Sequence, residues 1–351
     1  MERIRAECFG EKHQSSSRKL SKKNTVRTRY GKVEIAKSHL FSNPVLGSRI
    51  SPYLQEKLVF LGCENVFNAV PKAVEMVLGI EVNETQAYRT CQAISLQIPN
   101  NELDSPSKGL KLIEDTAKER VYGMVDGSML LTHEGWQESK VGRVFKAEVI
   151  EKSEPLKWDI EQSEYVAHRG HYSQFIDKFQ RLLPPESACK KVFITDGALW
   201  IGHWLLESYP AATHILDYFH VCEKLAVASQ ASDDTQQWFE KQKNRLLQGK
   251  QKKVCKAVED LENLPPFDKE KLLNYLKNNA YRMKYDKYRR KGMMISSGPI
   301  ESAHRTVLQV RMKRSGQHWS ETGCDNMIKL RVAYRSEKFH LITNILRNQA
   351  V

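Results

Sequence analysis

The chain has 351 residues, with 55 Lys and Arg against 42 Asp and Glu, a formal charge of +13 and a pI near 9.3. That length supports two or three domains with one sizeable core, and the basic excess suits a polyanionic partner, nucleic acid first. Seven scattered cysteines without a C-x-x-C pair argue against a disulfide frame or a zinc site. No apolar run approaches the roughly 20 residues of a membrane span, and no hydrophobic stretch follows the basic start, so no membrane association is expected.

Residues 1–30 are polar and basic and read as a flexible arm suited to lying along phosphates. Residues 31–105 follow as a mainly helical N-terminal domain, after one or two exposed strands between Tyr30 and Leu40. Ser51-Pro52 is a helix start, with a capping hydroxyl and a proline at the first helical position. Val66 to Leu78 carries apolar residues at helical spacing and stops at Gly79; Asn83 then caps a helix through Tyr88, Cys91 and Ile94. Two helices joined by a short glycine-containing turn match a helix-turn-helix, whose second helix presents Thr85, Gln86 and Arg89 to a groove. A plain helical hairpin fits the same pattern.

Turn residues at 99–105 mark a boundary. Strands follow: Arg120 to Met129, ending near Asp126; Gly142 to Ile150; and Glu164 to Ala167. A helix from about Tyr172 to Leu183 leads to a buried strand, Val192 to Thr195, ending on Asp196-Gly197. After a helix with Trp200, a strand from Thr213 to Leu216 ends on Asp217, with His220 three residues later. That order predicts a mixed sheet, an antiparallel meander followed by parallel crossovers. Residues 222–290 hold only helical periodicities, and Gly298-Pro299 opens a helix carrying Glu301, His304 and Arg305.

Acids that follow hydrophobic strands need compensation, because an unpaired buried carboxylate is costly. Asp126, Asp196 and Glu301 lie 70 residues apart (126 to 196) and then 105 apart (196 to 301). Adjacent strands can nevertheless bring the two aspartates side by side, and a helix packed across the sheet can add the glutamate. Three clustered carboxylates repel unless cations sit among them, and hard oxygen donors select Mg²⁺ or Mn²⁺. Two such ions would serve an in-line phosphoryl displacement. Each residue also has an ordinary explanation: Asp-Gly is a common turn, an acid in a first helical turn answers the helix dipole, and Asp217 can cap the helix after it.

The motifs go further. VDGSM at 125–129, KVGRVF at 140–145, ITDGALWI at 194–201, ILDYFHVCEKL at 215–225, YRRKGMMISSGPIESAHRTVLQVRMKRSGQHWS at 288–320 and LRVAYRS at 330–336 stand in the order and spacing of one family. From about Val121 to Arg335 the chain resembles the catalytic domain of DDE transposases of bacterial insertion sequences, in the ISKra group near the Mutator-like branch. The resemblance implies an α/β, ribonuclease H-like mixed sheet flanked by helices, formed by residues 115–221 and 291–340. An all-α insertion, 222–290, would interrupt it before the last catalytic helix. It further implies metal ligands at Asp126, Asp196 and Glu301, two Mg²⁺ (or Mn²⁺) ions, and an accessory pair, Asp217 and His220. The partners would be transposon-end and target DNA, bound by a homo-oligomer in the bacterial cytoplasm at the nucleoid. Relatives often carry cysteine pairs near the N-terminus; residues 38–50 here have none, so no structural zinc is expected.

Basic residues fit that reading. Arg305, Arg311, Lys313 and Arg314 crowd the Glu301 helix and the loop after it, while Lys140 and Arg143 would flank the site from the first hairpin. Trp200 and Trp319 are candidates for stacking on an exposed base, or else core residues. The rival readings are a ribonuclease H-like nuclease or junction resolvase that only hydrolyses, and an inactive DNA-binding descendant of a transposase.

Overall fold

The computed structural model of the chain describes residues 23–28, 31–36, 50–106, 120–151, 157–184 and 189–348. Most of the basic arm, and the cysteine-free segment up to residue 49, lie outside them. The arm's last part is a strand: β1 (Lys23–Thr28) pairs antiparallel with β2 (Gly31–Ala36). The β-branched residues Thr25, Val26 and Thr28 favour an extended backbone there, so residues 23–28, assigned to the arm by their charge, form a strand.

Four N-terminal helices come next: α1 (Pro52–Glu64), α2 (Val70–Leu78), α3 (Glu84–Gln97) and the single turn α4 (Asn100–Leu103). The predicted caps are present. Ser51 Oγ accepts from the Leu54 N–H, Gly79 ends α2 with φ +66°, and Asn83 and Gln86 exchange the two bonds of a capping box. Gln86 therefore spends its side chain on its own helix, whereas Thr85 and Arg89 are exposed.

The central sheet runs through β3 (Arg120–Thr132), β4 (Gly135–Glu151), β5 (Lys157–Arg169), β6 (Lys190–Thr195) and β7 (Thr213–Leu216), in the spatial order β5-β4-β3-β6-β7. β3, β4 and β5 form an antiparallel meander, while β6 and β7 join parallel to β3. This mixed α/β sheet flanked by helices is compatible with the ribonuclease H-like order expected. The strands are longer than the apolar runs alone suggest. β3 continues six residues past Asp126 and pairs with β4 as far as Thr132↔Gly135. Cross-strand pairing and the buried Leu130 hold this extension, and Gly135 supplies the φ of +102° needed at the turn. Asp126 is thus inside the hairpin rather than at a strand end.

Alternation along β3 divides the core. Val121 and Val125 face one side with Val144, Val166 and Phe193, against Phe175, Phe179, Ile201 and Trp204 of α5 (Tyr172–Leu182) and α6 (Leu199–Ser208). Tyr122 and Met124 face the other side with Phe145, Val192 and Ile194, in a larger core shared by the N-terminal and C-terminal helices. Between β7 and the Glu301 helix the chain is helical: α7 (Tyr218–Ser229), α8 (Thr235–Leu247), α9 (Gln251–Glu259), α10 (Pro266–Asn278) and α11 (Tyr285–Arg290). α12 (Gly298–Ala303) continues through a π-helical turn, His304–Gln309, to Met312; α13 (Glu321–Arg335) and α14 (Phe339–Asn348) close the chain. Among the described residues, no helix is long and apolar enough to cross a membrane.

Two buried arginines tie the N-terminal helices to this frame. Arg331 of α13 donates to the carbonyls of Val307 (3.0 Å) and Cys63 (2.7 Å), to the Thr306 carbonyl and to the Glu64 carboxylate. Replacing only the guanidinium leaves the Val307 and Cys63 carbonyls buried and without this donor. Arg331→Met is expected to lower unfolding stability by about 3 kcal/mol, read as a lower denaturation midpoint at unchanged slope.

Candidate active site

The parallel ladder between β3 and β6 ends at Val125↔Thr195. The next residue on each side is a catalytic candidate, Asp126 within β3 and Asp196 just past β6, so the ladder sets the two aspartates side by side along one rim of the sheet, where the parallel strands end. Neither is deeply buried. Asp126 Oδ1 accepts from the Gly127 N–H (2.7 Å), and Asp196 Oδ1 accepts from the Ala198 N–H (3.1 Å) at the start of α6. Burial, reinforced by the negative charge of Asp196, pushes Asp126 above the usual carboxylate range; His304 works in the opposite direction. Two adjacent hard-oxygen side chains in a partly desolvated place, with Asp126 raised, are a donor set a divalent cation relieves.

Glu301 approaches from across the edge. Arg143, reaching up from β4, donates to the Pro299 carbonyl (2.8 Å) and to Ser163 Oγ through Nε (3.1 Å) and Nη2 (2.7 Å). Its guanidinium also lies over the Phe145 and Tyr165 rings. Two residues after that anchor comes Glu301, exposed, with Oε1 accepting from Ser297 Oγ (3.1 Å). One turn on, the buried His304 places Nε2 3.3 Å from Asp126 Oδ2, in contact but not aligned for a hydrogen bond. Burial holds His304 below the ordinary imidazole value. The helix carrying Glu301 therefore touches Asp126 directly, through its next turn. Among the described residues, no three His, Cys, Asp or Glu side chains are gathered tightly enough to close on one ion. The two aspartates are adjacent by register; Glu301 belongs to the same edge but is turned toward Ser297.

Asp217 is different. It has no exposed surface and accepts from the Phe219 N–H (3.1 Å), the His220 N–H (3.3 Å), the Ser297 N–H (3.0 Å), Ser297 Oγ (2.7 Å) and His220 Nδ1 (2.8 Å). Burial raises its pKa, but the bonds from His220, Ser297 and the Phe219 N–H outweigh that and hold it below the ordinary value. Its acceptor sites are filled by the cap of α7 and by the loop before Glu301. It braces the site rather than offering a free oxygen. His220 is half-exposed and raised to about 9, chiefly by its bond to Asp217.

Several basic residues expected to face DNA are instead committed inside the protein. Arg311 is fully buried, donates to the Gly62 carbonyl (2.8 Å) and lies over the Phe67 and Trp319 rings. Its apolar neighbours on α12 drew it inward, where its stem and flat guanidinium pack with rings. Lys140 is buried against Glu138 (2.8 Å) and the Gly170 carbonyl (3.1 Å), and Arg143 holds Pro299. Trp319 is core, its Nε1–H donating to the Met312 carbonyl (3.0 Å). Arg305, Lys313 and Arg314 remain exposed, with Thr85 and Arg89. Trp200 is half-buried, its ring 5.3 Å from that of Tyr172.

Residues not singled out by their sequence motifs join the site. Ser297 and His304 stand four residues before and three after Glu301, a helical spacing that puts them on its face. Tyr275 and Arg282, from the helical stretch, carry no such signal. No protein-family model matches the chain, and no curated protein matches it.

The folded-state pKa of His220 lies above its unfolded value near 6.5, so the pair with Asp217 stabilises fully below about pH 6.5 and weakens as pH rises through about 9. The stability difference between wild type and His220→Gln is accordingly expected to shrink over that window, measured by urea denaturation at successive pH values.

Proposed function

We propose that this chain is a DNA transposase of the DDE type, with Asp126, Asp196 and Glu301 as its catalytic acids. The observation that carries the reading is the register of β3 and β6, which leaves Asp126 and Asp196 as neighbours at the edge crossed by the Glu301 helix. The motif resemblance and the basic charge point the same way.

The three acids would hold two Mg²⁺ or Mn²⁺ ions. The chemistry such a pair supplies is activation of an attacking oxygen and stabilisation of a leaving one in an in-line displacement at phosphorus. This chain's residues do the rest. The β3–β6 register fixes the separation of the two aspartates. Arg143 and Ser297 hold the N-terminal turn of α12, so that Glu301 stays within reach of the same edge. Asp217 and His220 keep the loop before Glu301 closed on β7. The substrate is the phosphodiester at each transposon end, hydrolysed to free a 3′-hydroxyl that then attacks target DNA.

The exposed cations Arg305, Lys313 and Arg314 line the approach along the catalytic helix and suit the phosphate backbone. The α2–α3 pair, with Thr85 and Arg89 outward, suits recognition of the inverted repeats, and the basic arm adds non-specific attraction. Joining two ends in one complex calls for at least two subunits, so the active form is a homo-oligomer on DNA, at the nucleoid of a bacterial cell.

Labelled end DNA incubated with Mg²⁺ is expected to give nicked and then joined products. Asp196→Asn should lower cleavage by roughly three orders of magnitude, about 4 kcal/mol of barrier, while leaving end binding intact. Nicks without joined product would indicate a hydrolytic nuclease, and unaltered cleavage would remove Asp196 from the site. End binding should also fall steeply with added salt, the logarithm of affinity dropping linearly with the logarithm of salt concentration; a flat response would contradict a phosphate-contacting surface.

A further inference from the structure

The helical stretch between β7 and α12 does more than pack on the sheet. Two of its side chains reach the end of β6 on either side of Asp196. Before it, Arg282, almost wholly buried and held by Asn279 through Nε (3.2 Å), brings Nη1 to 3.4 Å from Thr195 Oγ1. After it, Tyr275 of α10 lays its ring on Gly197. A side chain at 197 would put its first carbon 2.2 Å from Cε2 of that ring, 3.0 Å from Cζ and 3.1 Å from the phenol oxygen. Gly197 is needed for this approach, because any Cβ there overlaps the ring.

The phenol itself is unusual. Its oxygen is shielded from solvent yet has no hydrogen-bond partner. The ring is pinned from its other surroundings by the Lys224 ammonium, 4.8 Å from its centroid. Burial pushes the phenol up, and Asp196 and Asp217 lie close enough to push it further, so it stays a neutral donor. A buried hydroxyl with nothing to donate to is costly, and native structures rarely leave one without a reason. Asp196 has its Oδ1 on the Ala198 N–H and no protein donor at Oδ2 among the described residues. Carboxylates that ligate a metal are as a rule held by a hydrogen bond from outside the coordination sphere, and loss of that bond typically lowers metal affinity 10–100-fold.

We propose that Tyr275 is a positioning residue for Asp196: its phenol is the donor that fixes the aspartate carboxylate in the orientation it takes when a divalent cation binds. The helical stretch thereby completes the catalytic edge, with Arg282 and Tyr275 bracing residues 195 and 197. The inference rests on the metal-dependent reading of Asp126 and Asp196 given above, but concerns a residue outside the acid set.

Tyr275→Phe removes one oxygen and keeps the ring against Gly197 and Lys224. Mn²⁺ alone, titrated into the full chain and followed by the paramagnetic resonance of free Mn²⁺, is the probe. The expected result is a 10–100-fold weaker Mn²⁺ affinity in Tyr275→Phe, with a melting temperature in the metal-free protein equal to or above wild type and with unchanged affinity for end DNA in EDTA. Tyr281→Phe, on an exposed ring of the same stretch, should match wild type. Equal Mn²⁺ affinity in wild type and Tyr275→Phe overturns the role of Tyr275 and leaves the metal site standing. A clearly lower melting temperature in the metal-free variant also overturns it, since the hydroxyl then serves the fold. Absence of Mn²⁺ binding in wild type defeats the metal-dependent reading and this inference together.

Discussion

The arrangement depends on where one parallel ladder stops. β3 and β6 run side by side from Arg120↔Lys190 to Val125↔Thr195 and part at the next residue, where both chains carry an aspartate. β6 then turns into Gly197 and α6, while β3 carries on with β4. The register is not set by the acids. It is set by the alternation of Val121 and Val125 toward one core and Tyr122 and Met124 toward the other, and a slip of one residue would exchange the two faces. The packing energy of the sheet thus enforces the closeness of two like charges that repel one another.

The second element is a helix fixed at its start and redirected in its middle. Arg143 grips Pro299, and Ser297 is sewn to Asp217, so the first turn of α12 is held before Glu301 is reached. Beyond Ala303 the helix widens into a π-turn. Such a turn inserts an extra residue into the helical repeat and is frequent at functional sites. The insertion rotates the later residues of the helix relative to the earlier ones. Glu301 and His304 address the strand edge, while Val307, Leu308 and Arg311 sink into the core beneath the N-terminal helices. The guanidinium of Arg311, flat between two rings and bonded to the Gly62 carbonyl, serves that docking. The positive charge of this segment is therefore divided between packing and an exposed set.

Much of this was legible in the residues themselves. Apolar alternation located the sheet, and the caps at Ser51, Gly79 and Asn83 are where turn chemistry put them. The strand before Asp196 and the one before Asp217 end as their hydrophobic runs end. What pattern could not supply was depth. Lys140, Arg143 and Arg311 read as surface charge because a long basic side chain usually is; each is drawn inward by a carbonyl, carboxylate or aromatic ring remote in sequence. The pairing of Tyr275 with Gly197 spans 78 residues (197 to 275) and obeys no local periodicity. For Asp217 the simplest local explanation, a helix cap, proved true and incomplete: the same carboxylate also closes the loop that delivers Glu301.

The most direct trial of a metal-binding strand edge is anomalous diffraction from crystals of the full chain soaked in Mn²⁺. Anomalous density is expected against the carboxylates of Asp126 and Asp196, with Glu301 swung away from Ser297 to meet it. Density located elsewhere, or none at this edge in crystals that bind Mn²⁺ at other acids, would contradict it.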